Sequence, residues 1–221
     1  MPCRCCTDAY ADLFDEKLAR KDARRYRRRG LDAAARTMVG FLKRRGVQEQ
    51  RVLEVGGGVG AIQLELLAAG AAAAANVELS PGYEPVAREL AVERGVEDRI
   101  ERRVGDFVTI APDVEEADVV LLHRVVCCYP DLDGLLGAAA ERARRQLLLT
   151  YPPDNAVART VVRLLNLVQR LRRHEFRAFV WPRQEIARVA ESRGLKLVRE
   201  DRASTVWRWS AFERDSAVPL T

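Results

Sequence analysis

Histidine is scarce in this chain, and so are closely spaced metal ligands. Only His123 and His174 occur in 221 residues, and the five cysteines (Cys3, Cys5, Cys6, Cys127 and Cys128) contain no Cys-x-x-Cys spacing. Zinc ribbons and fingers are thereby excluded, and no metal is expected. Long apolar runs are missing too. The longest uncharged, mostly apolar stretch, Leu66 to Val77, is broken by Gly70 and is too short to span a bilayer. The opening Met-Pro-Cys-Arg-Cys-Cys-Thr-Asp lacks the apolar segment of a secretion signal, so a cytoplasmic protein without a membrane span is expected. In that compartment the cysteines read as free thiols. The alternative is a soft-metal or metalloid site, or a thiol that meets substrate.

What is present suits one folded unit. Hydrophobic residues make up 48% of the chain, enough for a core, and the length fits an α/β domain with some additional helix. The net charge of +5 is modest, and arginine supplies most of it. The basic run from Arg20 to Arg29 reads as the solvated face of a helix rather than a nucleic-acid site. Nucleic acid is therefore not the expected partner.

Residues 1–47 precede the first strand and are expected to be helical. Leu31, Ala34, Ala35, Met38, Phe41 and Leu42 recur at helical spacing before Gly46. From Arg51 strands and helices alternate. Strands are expected near 51–55, 75–79, 99–105, 118–123 and 146–151, and helices near 60–69, 82–94 and 132–144. Ser80-Pro81 reads as an N-cap followed by proline at N1. Such alternation implies a mostly parallel, doubly wound sheet. A helical insertion about 152–182 carries an amphipathic stripe (Val157, Val161, Leu164, Val168, Leu171) opposite Arg159, Arg163, Asn166, Arg170 and Arg173. The expected arrangement has the arginines outward. A helix near 183–193 and two alternating segments, 195–200 and 206–213, close the chain.

The densest signal lies at Arg51-Val-Leu-Glu-Val-Gly-Gly-Gly-Val-Gly60, where an apolar strand runs into a glycine cluster and then a helix. Glycines there let the backbone pass close to a ligand. Gly56, Gly58 and Ala61 also satisfy the weak dinucleotide pattern G-x-G-x-x-A. Glu54, however, stands two residues before the first glycine, where a carboxylate repels a pyrophosphate and suits a cationic ligand. Glu78 ends the second strand and can accept from ribose hydroxyls. Asp106, followed by Phe107, ends the third.

On these residues the chain, over roughly 48–213, resembles the class I S-adenosylmethionine-dependent methyltransferases, whose first motif reads apolar-(Asp/Glu)-x-Gly-x-Gly-x-Gly. The resemblance implies a Rossmann-like sheet with an antiparallel terminal β-hairpin and S-adenosyl-L-methionine as cofactor. It implies N-terminal helices (1–47) as lid and substrate cover, and a methyltransferase domain over 48–221 with a lid insertion. Glu54, Gly56, Gly58 and Gly60 would hold the methionine end, Glu78 the ribose, and Asp106 and Phe107 the adenine.

His123, at the tip of the fourth strand, is the candidate general base or else a cofactor contact. Tyr26, Arg29, Tyr129 and Tyr151 are substrate candidates, with Tyr10 and His174 on the same covering elements. His123-Arg-Val-Val stands where amino-methylating relatives carry Asn/Asp-Pro-Pro-Tyr, which disfavours amino groups of bases or glutamine as acceptors. The expected function is methyl transfer to oxygen or sulfur of a small molecule. The alternatives are an NAD-dependent oxidoreductase, a methyltransferase for a thiol-bound metalloid, and a non-catalytic RNA-binding relative. The sequence does not give the oligomeric state.

Overall fold

The computed structural model describes residues 13–214. Helices α1 (Glu16–Arg29) and α2 (Ala33–Arg45) come first, followed by β1 (Arg51–Val55), α3 (Ala61–Ala68), β2 (Ala73–Glu78) and α4 (Glu84–Glu93). Next come β3 (Ile100–Val104), a one-turn α5 (Phe107–Ile110), β4 (Ala117–His123), α6 (Leu132–Arg142) and β5 (Ala143–Tyr151). The chain closes with α7 (Ala156–Leu171), α8 (Arg183–Glu191), β6 (Leu195–Arg202) and β7 (Arg208–Arg214).

The seven strands form one sheet in the order β3-β2-β1-β4-β5-β7-β6. Strands β1 to β5 pair in parallel, and β7 runs antiparallel to both β5 and β6. Strand order reverses between β1 and β4, so the crevice at their carboxyl ends is the natural ligand position of such a sheet.

Alternate residues along each strand enter opposite layers. Val52, Val119, Leu121 and Leu148 join the core beneath α1 to α4. Leu53, Val120, Leu122, Leu147 and Leu149 join the core beneath α6 and α8. Wholly buried leucines of this kind each contribute about 1.5–3 kcal/mol. Helices α1 and α2 share the first core through Ala19, Ala23, Met38 and Leu42.

Asp15 caps α1 by accepting from Leu18 N, and Asp32 caps α2 by accepting from Ala34 N and Ala35 N. The Ser80 side chain caps nothing. Its hydroxyl donates to the Phe14 carbonyl at 2.5 Å, and Pro81 opens a 3-10 turn ahead of α4. The helix expected over 132–144 stops at Arg142 because Ala143 already pairs with Ala117 of β4.

The insertion departs further from expectation. Its arginine face is outward as read, but the apolar stripe of α7 is outward as well, and no α7 residue is buried. The helix meets the body only along a half-buried edge at Ala158, Val162, Asn166 and Gln169. Asn166 fixes that edge, exchanging hydrogen bonds with both backbone groups of Ala178 at 2.8 and 2.9 Å. Among the described residues no helix is long and apolar enough to cross a membrane.

Candidate active site

A cavity of about 350 Å³ opens at the carboxyl ends of β1, β2, β3 and β4. Its wall includes Glu54, Gly56, Gly58, Glu78, Asp106, Phe107 and His123, so residues chosen from scattered segments meet in one place. Helices α1 and α2 and the turn between them close it with Leu18, Tyr26, Leu31 and Ala35.

The glycine turn is shaped by local backbone demands. Gly56, Gly58 and Gly60 have φ of 63°, 55° and 76°, which residues with a Cβ rarely adopt. Gly57 has a different reason to be glycine. A Cβ there would lie 2.1 Å from Asn76 Nδ2 and 2.8 Å from Glu54 Cδ. The backbone therefore passes directly over the carboxyl group. Gly60 is the N-cap of α3 rather than part of the cavity wall.

The acids differ in state. Burial pushes Glu54 up to about 8, and the nearby charge of Glu78 adds to this, against the N–H of Gln63 and the charge of Arg102. Glu78 is also raised by burial, although it accepts from Gly58 N at 2.8 Å and Ser80 N at 3.0 Å. Asp106 caps α5 through Val108 N at 3.1 Å and accepts the Tyr129 hydroxyl at 3.0 Å. Arg102 is the buried counter-charge, donating to Glu84 Oε2 at 2.7 Å and to the Gly58 carbonyl at 3.2 Å.

His123 is held on both sides. Nε2 lies 3.1 Å from Asp32 Oδ2, and Nδ1 lies 3.0 Å from the Thr150 hydroxyl, which accepts from Arg124 N. Arg124, itself at φ 62°, pairs with Asp32 at 2.9 Å and stacks over the Trp207 ring at 4.8 Å. Burial alone would raise Asp32. The hydrogen bond to His123 and the charges of His123 and Arg124 outweigh it and hold the carboxyl well below its usual range.

The substrate candidates divide. Tyr129 and Tyr26 line the cavity, but the Tyr26 hydroxyl already donates to Glu65 at 2.8 Å. Tyr151 is instead a core residue bonded to Ser210 at 2.8 Å, because its strand position faces the layer beneath α6 and α8. Arg29 and His174 are exposed and away from the cavity wall. No residue of 152–182 lines it either.

Cys128 lies on the wall with its sulfur 3.6 Å from that of Cys127. The hydrogen bond between the two thiols lowers Cys128. Together with burial it raises Cys127. Tyr10, Cys3, Cys5 and Cys6 fall outside the described residues. Among the described residues no cluster of three or more metal-ligating side chains occurs.

Asp32, Gly57, Arg102 and Thr150 were not legible as site residues. Asp32 had one available signal, an aspartate immediately before a helical run, but that predicts a cap and nothing more.

A family model described as a methyltransferase domain matches residues 17–200. No curated protein sequence matches the chain. Among solved structures, the magnesium protoporphyrin IX methyltransferase of Synechocystis PCC 6803 with bound SAH is 20% identical, with a TM-score of 0.68 and 82% of each chain covered. An O-methyltransferase family 2 protein of Planctomyces limnophilus, in complex with apigenin, is 19% identical at TM-score 0.66, covering 90% of this chain and 62% of that one. Human N-acetylserotonin methyltransferase with SAM is 14% identical at TM-score 0.64, covering 91% of this chain and 56% of that one. At such identities the likeness establishes a shared fold.

Proposed function

The chain belongs to the methyltransferase-domain family, and we propose that it carries the methyl group of S-adenosylmethionine to an oxygen or sulfur of a small molecule. The observation that carries this reading is the convergence of Glu54, Glu78 and Asp106 on one cavity from the ends of three adjacent strands. When bound, the cofactor supplies an electrophilic methyl group, and the protein's part is to bind, orient and exclude water. Glu54 faces its cationic end, Glu78 accepts from the ribose hydroxyls, and Asp106 with Phe107 holds the adenine. The oxidoreductase reading fares worse, since Glu54 suits a cationic ligand rather than a pyrophosphate, and the sheet ends in an antiparallel β6–β7 pair where a nicotinamide-binding half would continue in parallel.

On this reading residues 1–47 form the cover and 48–221 the catalytic body. The walls contributed by α1 and α2 support the cover. Phe14, Leu18, Leu31 and Ala35 give the acceptor end an apolar surface, with Arg25 among the lining residues. That combination favours an acceptor with an apolar body and an anionic group.

Calorimetry with S-adenosylhomocysteine and with NAD tests the assignment. The first should bind and the second should not. Glu78→Ala removes the acceptor for two hydroxyls and should weaken S-adenosylhomocysteine binding by about 1–3 kcal/mol. Unchanged affinity in both Glu78→Ala and Asp106→Ala would refute the cofactor site.

Glu54 adds a pH signature. In the free protein burial keeps its proton on below about pH 8. A cation beside it favours the carboxylate, so binding at pH 7 should release a proton. Affinity for S-adenosylmethionine should then rise with pH, up to roughly tenfold per unit, and level off above 8. Glu54→Gln should remove the slope. Titrations in buffers of different ionisation enthalpy check this, and a flat profile in the wild type would contradict the role.

A further inference from the structure

Among the described residues, helix α7 leaves its apolar side without a partner. Val157, Val161, Leu164, Leu165, Leu167, Val168 and Leu171 are all exposed, from 42% for Leu165 to 77% for Leu171. Six of them (all but Leu167) recur at i, i+4, i+7, i+8, i+11 and i+14, so they form one continuous stripe along the helix. Soluble surfaces rarely leave such a stripe open without a use for it. The cavity does not use it, because none of these residues lines the wall.

The charge on the same segment indicates what covers it. Between Asn155 and His174 there are five arginines (Arg159, Arg163, Arg170, Arg172 and Arg173) and no aspartate or glutamate. Arg159 is taken up by Asp154 at 2.6 Å, whereas no carboxylate of the segment itself is available to the others. A second copy of the chain laid stripe to stripe would cover the apolar side but leave both arginine rows on the far sides, with no acid of either segment to meet them. An anionic lipid surface accommodates both features, apolar side chains in the acyl boundary and arginines among the headgroups. A helix about 10 Å across keeps its arginine row within roughly one Debye length of that surface. The 16 residues span about 24 Å, long enough to lie in the interface and too short to cross it.

We propose that α7 is a membrane-surface helix that docks the protein on anionic phospholipid through its Val157–Leu171 stripe. This inference is independent of the methyl-transfer reading. It is tested with the full chain and two sets of vesicles, one of phosphatidylcholine alone and one with added phosphatidylglycerol.

The wild type should float with the mixed vesicles, bind more weakly as salt rises, and bind poorly to phosphatidylcholine alone. Leu164→Asp with Val168→Asp should weaken binding by at least about tenfold. Because neither side chain is buried, the melting temperature should hold, which separates docking from folding. Arg163→Gln with Arg170→Gln should lower binding to the mixed vesicles only. Absence of wild-type binding, or equal binding by the double-aspartate variant, overturns the proposal. So does a dimer seen by light scattering, abolished by the aspartates without vesicle binding, which would assign the stripe to a second copy.

Discussion

Alanine at position 57 should abolish most cofactor binding although it adds a single methyl group. Its Cβ would stand 2.1 Å from Asn76 Nδ2 and 2.8 Å from both Cγ and Cδ of Glu54. Neither neighbour can yield easily. Both are buried, Asn76 is held to Gln63 Oε1 at 3.2 Å, and the Glu54 carboxylate accepts from Gln63 N at 3.4 Å. Either the glycine turn opens or the carboxyl group is displaced, and overpacking of this kind costs about 1–3 kcal/mol. Expressed in binding, that is roughly a 5- to 150-fold loss of S-adenosylhomocysteine affinity. Expressed in folding, it lowers the melting temperature by several degrees. Gly95→Ala is the control. Unlike Gly57 it sits at positive φ, but a Cβ there meets nothing within 4 Å, so it should cost little beyond backbone strain and leave binding intact. A Gly57→Ala protein that binds and melts like the wild type would mean the turn tolerates a side chain over Glu54.

The acids of this site were readable because each stands at or just past the end of a strand. Glu54 and Glu78 lie at the carboxyl ends of β1 and β2, Asp106 follows β3 by two residues, and parallel strands place those ends side by side. Local pattern sufficed there. It did not suffice for Asp32, which meets His123 across 91 residues and advertises only its cap. Nor did it suffice for Arg102, whose charged side chain in β3 reads as exposed until Glu84 and the Gly58 carbonyl fold around it.

The stripe of α7 illustrates a different limit. Periodicity says that two faces of a helix differ, but not which face the rest of the molecule covers. Tyr151 shows the same ambiguity in a strand. It follows Thr150, which meets His123, and its own pleat turns it toward Ser210 and the core. The end of α6 fell short because Ala143-Arg-Arg is helix-compatible, and only pairing with β4 makes it strand.

His123→Ala should lower kcat/KM mainly through the acceptor's KM. The ring bridges β4 to the cover, since Nε2 meets the carboxylate that caps α2 while Nδ1 meets Thr150. With the Nε2 proton donated to Asp32, neither ring nitrogen has a lone pair facing the cavity. On this geometry we read His123 as a positioning residue that holds α2 over the acceptor, with Asp32 and Arg124 completing the latch. Losing a charge-assisted hydrogen bond costs about 1.5–3 kcal/mol, or roughly 10- to 150-fold in kcat/KM. Asp32→Asn keeps the side-chain oxygen that caps α2 but removes the charge facing His123 and Arg124, so it should reproduce much of the loss without unfolding the helix. The double variant should be little worse than either single one, because both break the same contact. A base would behave differently. His123→Ala would then drop kcat itself by roughly 10²–10⁴ and abolish the rise of rate with pH, with the acceptor's KM little changed. An acceptor whose methylated atom is already anionic, such as a thiolate, needs no base at all, and for it the ring is left with the latch and its place on the cavity wall beside the cofactor.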